Sequence, residues 1–178
     1  QPLEGPSLLF VNESDVEDAT LTVAAVDAAS LPPGPGADLV GTARVIETEV
    51  PDGGMRLLLL LPFDAADLQA AGGSAADPLR MDLVRRDEAT GAWALAASAN
   101  AVPSPGWPTP LADRTVQVDA PAVAFSSAFG RWGVWWSSAE QRGVVWATAD
   151  RAGTYAIGYR GCPADAAQPP DGLVATGD

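Results

Sequence analysis

The sequence predicts an all-β protein, an antiparallel β-sandwich of about nine to ten short strands with one short helix near residues 63–71. Strand-like segments recur at roughly ten-residue spacing, and Gly- or Pro-containing turns separate most of them. Helix-forming composition is confined to one segment. Because the strands do not alternate with helices, a parallel α/β fold is not expected.

The predicted strands are bounded by turn residues or by Pro/Gly-rich loops. In chain order the segments with strand character are 7–11, 19–26, 39–48, 55–61, 79–86, 92–98, 115–120, 123–127, 133–138, 144–150 and 154–159. Residues 1–160 are therefore expected to form a single sandwich domain. Residues 161–178 lose all periodicity and are predicted to be a tail or a linker.

Three segments carry most of this prediction. Residues 19–26 alternate, with Leu21, Val23 and Ala25 on one face, which is typical of a half-buried strand. Residues 57–61 are five consecutive Leu, a run too short to cross a bilayer, so we expect a buried strand at the centre of a sheet that ends at Pro62. Residues 63–71 are good helix formers and are followed by Gly72 and Gly73, which predicts the short helix.

Composition excludes several functions. The formal charge is −13, and all ten cations are Arg, so binding to nucleic acid or insertion into a membrane is not expected. The sequence contains no His and no Lys, which removes Ser-His-Asp, Cys-His and Schiff-base catalysis within this chain. A glycosidase-like carboxylate pair is the remaining option, but no motif places two acids across a cleft. We therefore predict that the protein is not an enzyme.

Residues 79–93 contain the most distinctive motif. They read as a strand, a turn and the start of a returning strand, ending in Asp87-Glu88-Ala89-Thr90-Gly91-Ala92-Trp93. An apolar strand ending in Pro precedes them, and a strand of the type Thr148-Ala-Asp-Arg-Ala-Gly-Thr-Tyr-Ala-Ile-Gly158 follows. In this order the three features resemble β-sandwich modules of large bacterial and algal extracellular surface proteins, over roughly residues 54–160. ZU5-like sandwich modules have a similar general look.

The resemblance implies a non-catalytic structural, assembly or adhesion module at the cell surface. Its expected partners are neighbouring domains or copies of a surface assembly, with glycans as an alternative. The sequence departs from the resemblance at residues 101–143, where a Pro-rich loop and an aromatic stretch intervene. Two other functions stay open, a carbohydrate-binding module and a Ca²⁺-stabilised adhesion domain.

The carbohydrate alternative depends on Trp107, Trp132, Trp135 and Trp136. Indole rings stack on the apolar faces of sugars when they are exposed. Trp135 and Trp136 are adjacent in a predicted strand, so they point to opposite faces. The competing interpretation is that most of these rings fill the core.

The calcium alternative depends on the acidic loop that contains Glu13, Asp15, Glu17 and Asp18, with Asp52 as a further candidate. Carboxylate oxygens are the ligands that Ca²⁺ prefers, but the loop lacks EF-hand spacing. A solvated loop without a cofactor is the competing interpretation.

Two covalent modifications are also candidates. Asn12-Glu13-Ser14 matches the N-glycosylation acceptor pattern, which applies to a protein secreted by a eukaryote. Cys162 is the single cysteine, so it is either a free thiol or a partner for a disulfide with another segment or chain.

Overall fold

The computed structural model describes residues 7–101, 114–121 and 130–159. Within these ranges ten strands form two five-stranded sheets with one α-helix, which confirms the predicted all-β sandwich. The elements are β1 (Ser7–Asn12), β2 (Leu21–Asp27), β3 (Asp38–Thr48), β4 (Met55–Asp64), α1 (Ala65–Gly72), β5 (Met81–Arg86), β6 (Trp93–Leu95), β7 (Thr115–Val118), β8 (Trp132–Ser137), β9 (Arg142–Ala149) and β10 (Gly153–Tyr159). The predicted strand at 123–127 and the predicted tail at 161–178 lie outside the described residues.

Sheet A has the strand order β1-β4-β9-β8-β7, and sheet B has the order β2-β3-β10-β5-β6. Neighbouring strands are antiparallel except β7 and β8, which are parallel, so the prediction of a wholly antiparallel sandwich is wrong at this pair. Residues 119–131 separate the two strands. A connection of that length permits a parallel crossover, whereas a tight turn would force an antiparallel pair.

The main core lies between the sheets. Leu57, Leu59 and Leu61 point into it, opposite Leu83 and Ile157 of sheet B. The intervening side chains of β4, Leu58 and Leu60, point to the other face of sheet A and are also fully buried. Because both faces of β4 are buried, the strand is continuously apolar instead of alternating. It is an interior strand as expected, although the middle position of sheet A belongs to β9.

β4 does not end at Pro62, as the sequence had suggested, but continues to Asp64. Pro62 pairs with Val144 of β9 on one side. On the other side β1 pairs only as far as Leu60, so β4 is a local edge beyond that point within the described residues. A missing N–H is tolerated at such an edge, which explains how proline fits inside the strand.

The helix begins at Ala65 rather than at Phe63, because Asp64 caps it. The Asp64 side chain accepts hydrogen bonds from the Ala66 and Asp67 amides, and Asp67 accepts from the Asp64 amide in return. This reciprocal capping box satisfies amides that the first helical turn leaves unpaired. Burial, together with the nearby Asp64 carboxylate, raises the pKa of Asp67. Phe63 instead ends β4 inside the main core.

Candidate functional site

The Trp residues of β8 and β9 lie on both faces of sheet A. Trp132 and Trp136 pack in the core between the sheets. Trp135 and Trp146 lie on the opposite face, where the Trp135 indole donates to the Ala120 carbonyl at 2.8 Å. All four rings are buried, and none is more than 9% exposed. The carbohydrate alternative is therefore wrong for Trp132, Trp135 and Trp136, which are buried as the competing interpretation predicted. Trp107 lies outside the described residues.

A groove of about 360 Å³ adjoins one of these rings. Its walls come from α1 and the following turn, and it is lined by Ala65, Leu68, Gln69, Gly73, Ser74, Ala76, Pro78, Trp136 and Gln141. Phe63 stacks on Trp136 at 5.4 Å between ring centroids and an interplanar angle of 19°. The ring is only 5% exposed, so it presents no free face on which a sugar could stack.

The acidic loop does not gather its carboxylates. Glu13 forms a 2.9 Å ion pair with the buried Arg56 of β4, and Asp52 pairs with Arg151 at 3.3 Å. Across the parts of the chain that the structure describes, no group of three or more His, Cys, Asp or Glu is placed to hold a metal ion. The alternative of a calcium site at Glu13, Asp15, Glu17 and Asp18 is thus not formed, because Glu13 faces a cation instead of its acidic neighbours.

Asn12 closes the same loop by hydrogen bonds. Its amide nitrogen donates to the Val16 carbonyl at 2.8 Å, and its amide oxygen accepts from the amide and the hydroxyl of Ser14. The side chain is exposed. Whether it carries a glycan stays a prediction, and Cys162 lies outside the described residues.

A buried ion pair that the sequence analysis missed joins β5 to the start of β7. Arg114 contacts Asp82 at 2.8 Å, and the two side chains are only 4% and 3% exposed. The same guanidinium donates to the carbonyls of Leu79 and Met81 and lies 5.8 Å from the Trp132 ring centroid. The sequence feature that could have predicted this ion pair is Asp82, a charged residue between apolar residues in a strand. These contacts are structural, since the charges are paired and removed from solvent.

At one end of sheet B, a loop covers the short strand β6. Residues 31–37 pack over Trp93, which is 4% exposed and forms a small cluster with Ala43, Val84 and Ala156 on the outer face of the sheet. The Trp93 amide donates to the Pro35 carbonyl at 2.8 Å instead of remaining free. We call β6 with residues 31–37 the closed end of sheet B.

Two glycines let this loop approach the strand. A Cβ atom added at Gly34 would lie 2.1 Å from the Gly91 carbonyl oxygen, and one added at Gly36 would lie 2.1 Å from that of Trp93. Gly36 also has φ of +109°, a conformation that L side chains rarely adopt. Only glycine therefore allows the loop backbone to lie directly on β6.

The turn before Trp93 is the predicted hairpin, and the structure confirms it. β5 and β6 are antiparallel, and Asp87 and Ala92 close the turn with a 2.8 Å backbone hydrogen bond. Hydrogen bonds from the Ala89 and Thr90 amides to the Asp87 carboxylate lower its pKa. Trp93 anchors the returning strand as expected, but beneath the loop on the outer face rather than in the core between the sheets. β6 is also shorter than predicted, because residues 96–98 turn into a short 3-10 helix.

The opposite end of sheet B is uncovered. β2 pairs with β3 on one side, and within the described ranges no strand lies on its other side. Thr22, Val23, Ala24 and Ala25 are all exposed, and Val23 retains 43% of its accessible surface. The prediction of a half-buried strand is therefore wrong for the middle of β2. Leu21 packs partly on the main core and Val26 on the Trp93 cluster, but residues 22–25 lie beyond both. We call β2 the open end of sheet B.

Most of β2 is uncharged, and acidic residues lie before it, at its end and next to its start. Residues 21–26 carry no ionisable side chain, while Asp18 precedes the strand and Asp27 ends it. Next to the start of β2, Glu49 accepts hydrogen bonds from the hydroxyl and the amide of Thr20, and these bonds lower its pKa. The nearest cation in register is Arg44, which lies opposite Ala25 on β3.

Comparison of the chain with protein-family models, with curated proteins and with solved structures finds no match. The class of protein that the structure defines is therefore an all-β sandwich, in which the two edges of sheet B differ. No helix among the described residues is long and apolar enough to span a membrane.

Proposed function

We propose that this chain is a non-catalytic structural module of an extracellular surface or filament protein, and that it joins a neighbouring domain or copy through the open end of sheet B. The observation that carries the proposal is the state of β2, a seven-residue edge strand whose residues 22–25 are exposed and whose residues 21–26 are uncharged. Such a strand offers a row of backbone donors and acceptors to another chain.

The absence of protecting features on β2 supports an assembly role. Soluble sandwiches commonly protect their edge strands with Lys, Pro, bulges or a covering loop. Residues 21–26 contain no charge and no Pro, and their register with β3 is unbroken. The chain does cover the other end of the same sheet with residues 31–37. An assembly module needs such an arrangement, in which one edge of the sheet is covered and the opposite edge is available to a partner strand.

The chemistry of the chain supports the non-catalytic part of the proposal. The sequence supplies neither His nor Lys as a base or nucleophile. Many of the acids that the structure describes lie in ion pairs, caps and turns, as Glu13, Asp64 and Asp87 illustrate. The extracellular setting is supported by the resemblance of residues 54–160 to modules of surface proteins.

The test is Val23→Lys in the full-length protein, expressed in its own cells. A charge in the middle of the edge should block strand addition, so the variant should be lost from the surface assembly and released. Ala89→Lys, in the exposed turn between β5 and β6, adds the same charge at the other end of sheet B and should assemble normally. Surface labelling of intact cells measures both. Retention of Val23→Lys in the assembly, or a chain that stays inside the cell, would contradict the proposal.

A further inference from the structure

We infer that the open end of sheet B accepts an extended segment of another protein, an uncharged stretch of about six residues with a cation near each end. The inference rests on the proposed assembly role of β2 and adds the chemistry of its partner. Six strand residues span about 20 Å, which matches the uncharged part of the edge. Beyond that length a partner strand reaches acidic surface in both directions.

The middle of the edge favours a neutral strand. Ala24 and Ala25 are small, and Thr22 and Val23 are β-branched residues that pack well against cross-strand neighbours. Because the side chains of these four residues are exposed on both faces, an added strand meets no covering element on either side. Backbone hydrogen bonds supply the affinity in this mode of recognition, and side chains supply the selectivity.

The ends of the edge select for positive charge. Asp18 lies before β2 and Asp27 at its end, and Glu47 and Glu49 lie on or just after the neighbouring strand β3. Arg44, the one cation in register with β2, donates to the Ala43 carbonyl and lies opposite the middle of the edge. A partner with Arg or Lys at both ends would therefore face carboxylates, and this attraction should be strongest at low salt.

The same charges disfavour a second copy of this chain. If two β2 strands paired antiparallel about Ala24, Asp27 of each would lie opposite Leu21 of the other, next to the turn that holds Asp18. A parallel pair would align identical acids. Both arrangements bring like charges together, and each copy carries a net charge of −13.

The test measures fluorescence anisotropy of labelled peptides with the intact chain. One probe has six alternating Thr and Val residues with an Arg at each end, and the other has Glu at both ends. At about 20 mM salt we expect the Arg-ended peptide to bind at least about tenfold more tightly. The ratio should approach one near 1 M salt, where the screening length is about 3 Å. Amide exchange should place the protection on residues 21–27.

Matched variants assign the charge effect to specific residues. Asp18→Asn together with Asp27→Asn removes both charges, and Asn suits the positive φ of 54° at residue 18 and the capping role at residue 27. Because Glu47 and Glu49 remain, this double variant should reduce the preference for the Arg-ended peptide without abolishing it. The control is Asp119→Asn with Glu140→Gln, which removes two charges next to strands of sheet A. Asp119, like Asp18, has a positive φ, of 51°. This control should keep the preference for the Arg-ended peptide.

Three results would overturn the inference. Equal binding of both peptides at residues 21–27 would contradict the charge selection and leave the assembly role intact. Binding of neither peptide, with self-association that Val23→Lys abolishes, would identify a second copy as the partner. Binding of neither peptide without self-association would overturn the inference, and the assembly of Val23→Lys in cells would then decide separately whether the proposed function also fails.

Discussion

The two ends of sheet B differ in length, cover and charge. At the closed end, β6 has three residues, and its Trp93 amide is bound by the Pro35 carbonyl beneath a packed loop. At the open end, β2 has seven residues and exposes both faces. Among the described residues, a loop thus covers the edge of sheet B at one end and not at the other. The edge strand β7 of sheet A is also uncharged, with Val116 36% and Val118 45% exposed, but it has four residues where β2 has seven.

This difference separates stability from association. The closed end buries an indole ring in a second, small apolar cluster, so it should contribute to the free energy of unfolding. The open end buries little and should contribute little. Changes at the closed end should therefore unfold the protein, while changes at the open end should alter what it binds.

Trp93→Ala should have the largest effect on stability. It empties the space between residues 31–37 and the sheet, and truncation of a buried Trp typically lowers the free energy of unfolding by about 3–5 kcal/mol. Urea unfolding followed by circular dichroism measures the loss. Val23→Ala at the open end is the comparison and should cost less than about 0.5 kcal/mol. Similar losses for both variants would mean that the two ends do not differ as described.

Gly36→Ala should follow, with a loss of about 2–3 kcal/mol, because the new methyl group would press against the Trp93 carbonyl and residue 36 has a positive φ. Gly73→Ala is a matched control. Its φ is also positive, at 72°, but a Cβ atom there would meet nothing within 4 Å. Thermal unfolding of both variants separates backbone strain from the close approach of the loop. Equal losses would show that the approach to β6 contributes nothing.

The fold was predictable because strand alternation and turn residues are local signals. The position of a strand in its sheet is not local, which is why the alternating residues of β2 were assigned to a half-buried strand. Alternation tells which side chains share a face, but not whether another element covers that face. The continuation of β4 through Pro62 was missed for a related reason, since it depends on where β1 stops pairing.

Tyr155→Phe tests the middle of sheet B, between the two ends. The Tyr155 hydroxyl donates to the Arg151 carbonyl at 2.5 Å, and its loss should cost about 1–2 kcal/mol at pH 8. Burial raises the pKa of Tyr155 above its value in the unfolded chain, so the native state holds this proton more tightly. Its contribution is complete below about pH 10 and is lost as the pH rises further. Urea midpoints at rising pH should therefore converge for the two proteins, and a constant difference would contradict this origin.

Val23→Lys should have the smallest effect on stability, within about 0.5 kcal/mol, because the side chain is 43% exposed. Its urea midpoint should match that of the unmodified chain even where it blocks assembly. A large loss of stability would mean that β2 packs more tightly than its exposure indicates, and would weaken the separation of stability from association.

The candidate site was less predictable than the fold. The sequence drew attention to aromatic rings and acids because these residue types bind ligands. The structure buries Trp132, Trp135 and Trp136 and directs Glu13 to Arg56. The feature that remains, β2, is a run of Leu, Thr, Val and Ala without a motif. Its proposed role depends on the lack of a neighbouring strand or a covering loop among the described residues, and only the tertiary structure shows this.

Amide hydrogen exchange in the isolated chain and in the native assembly tests the central claim most directly. In the isolated chain, the amides of residues 21–27 that point away from β3 should exchange rapidly, whereas the Trp93 amide should be protected. In the assembly, the outward amides of β2 should become protected and Trp93 should not change. Protection of every β2 amide in the isolated chain, or no gain of protection on assembly, would contradict the view that β2 is an open edge that takes a partner strand.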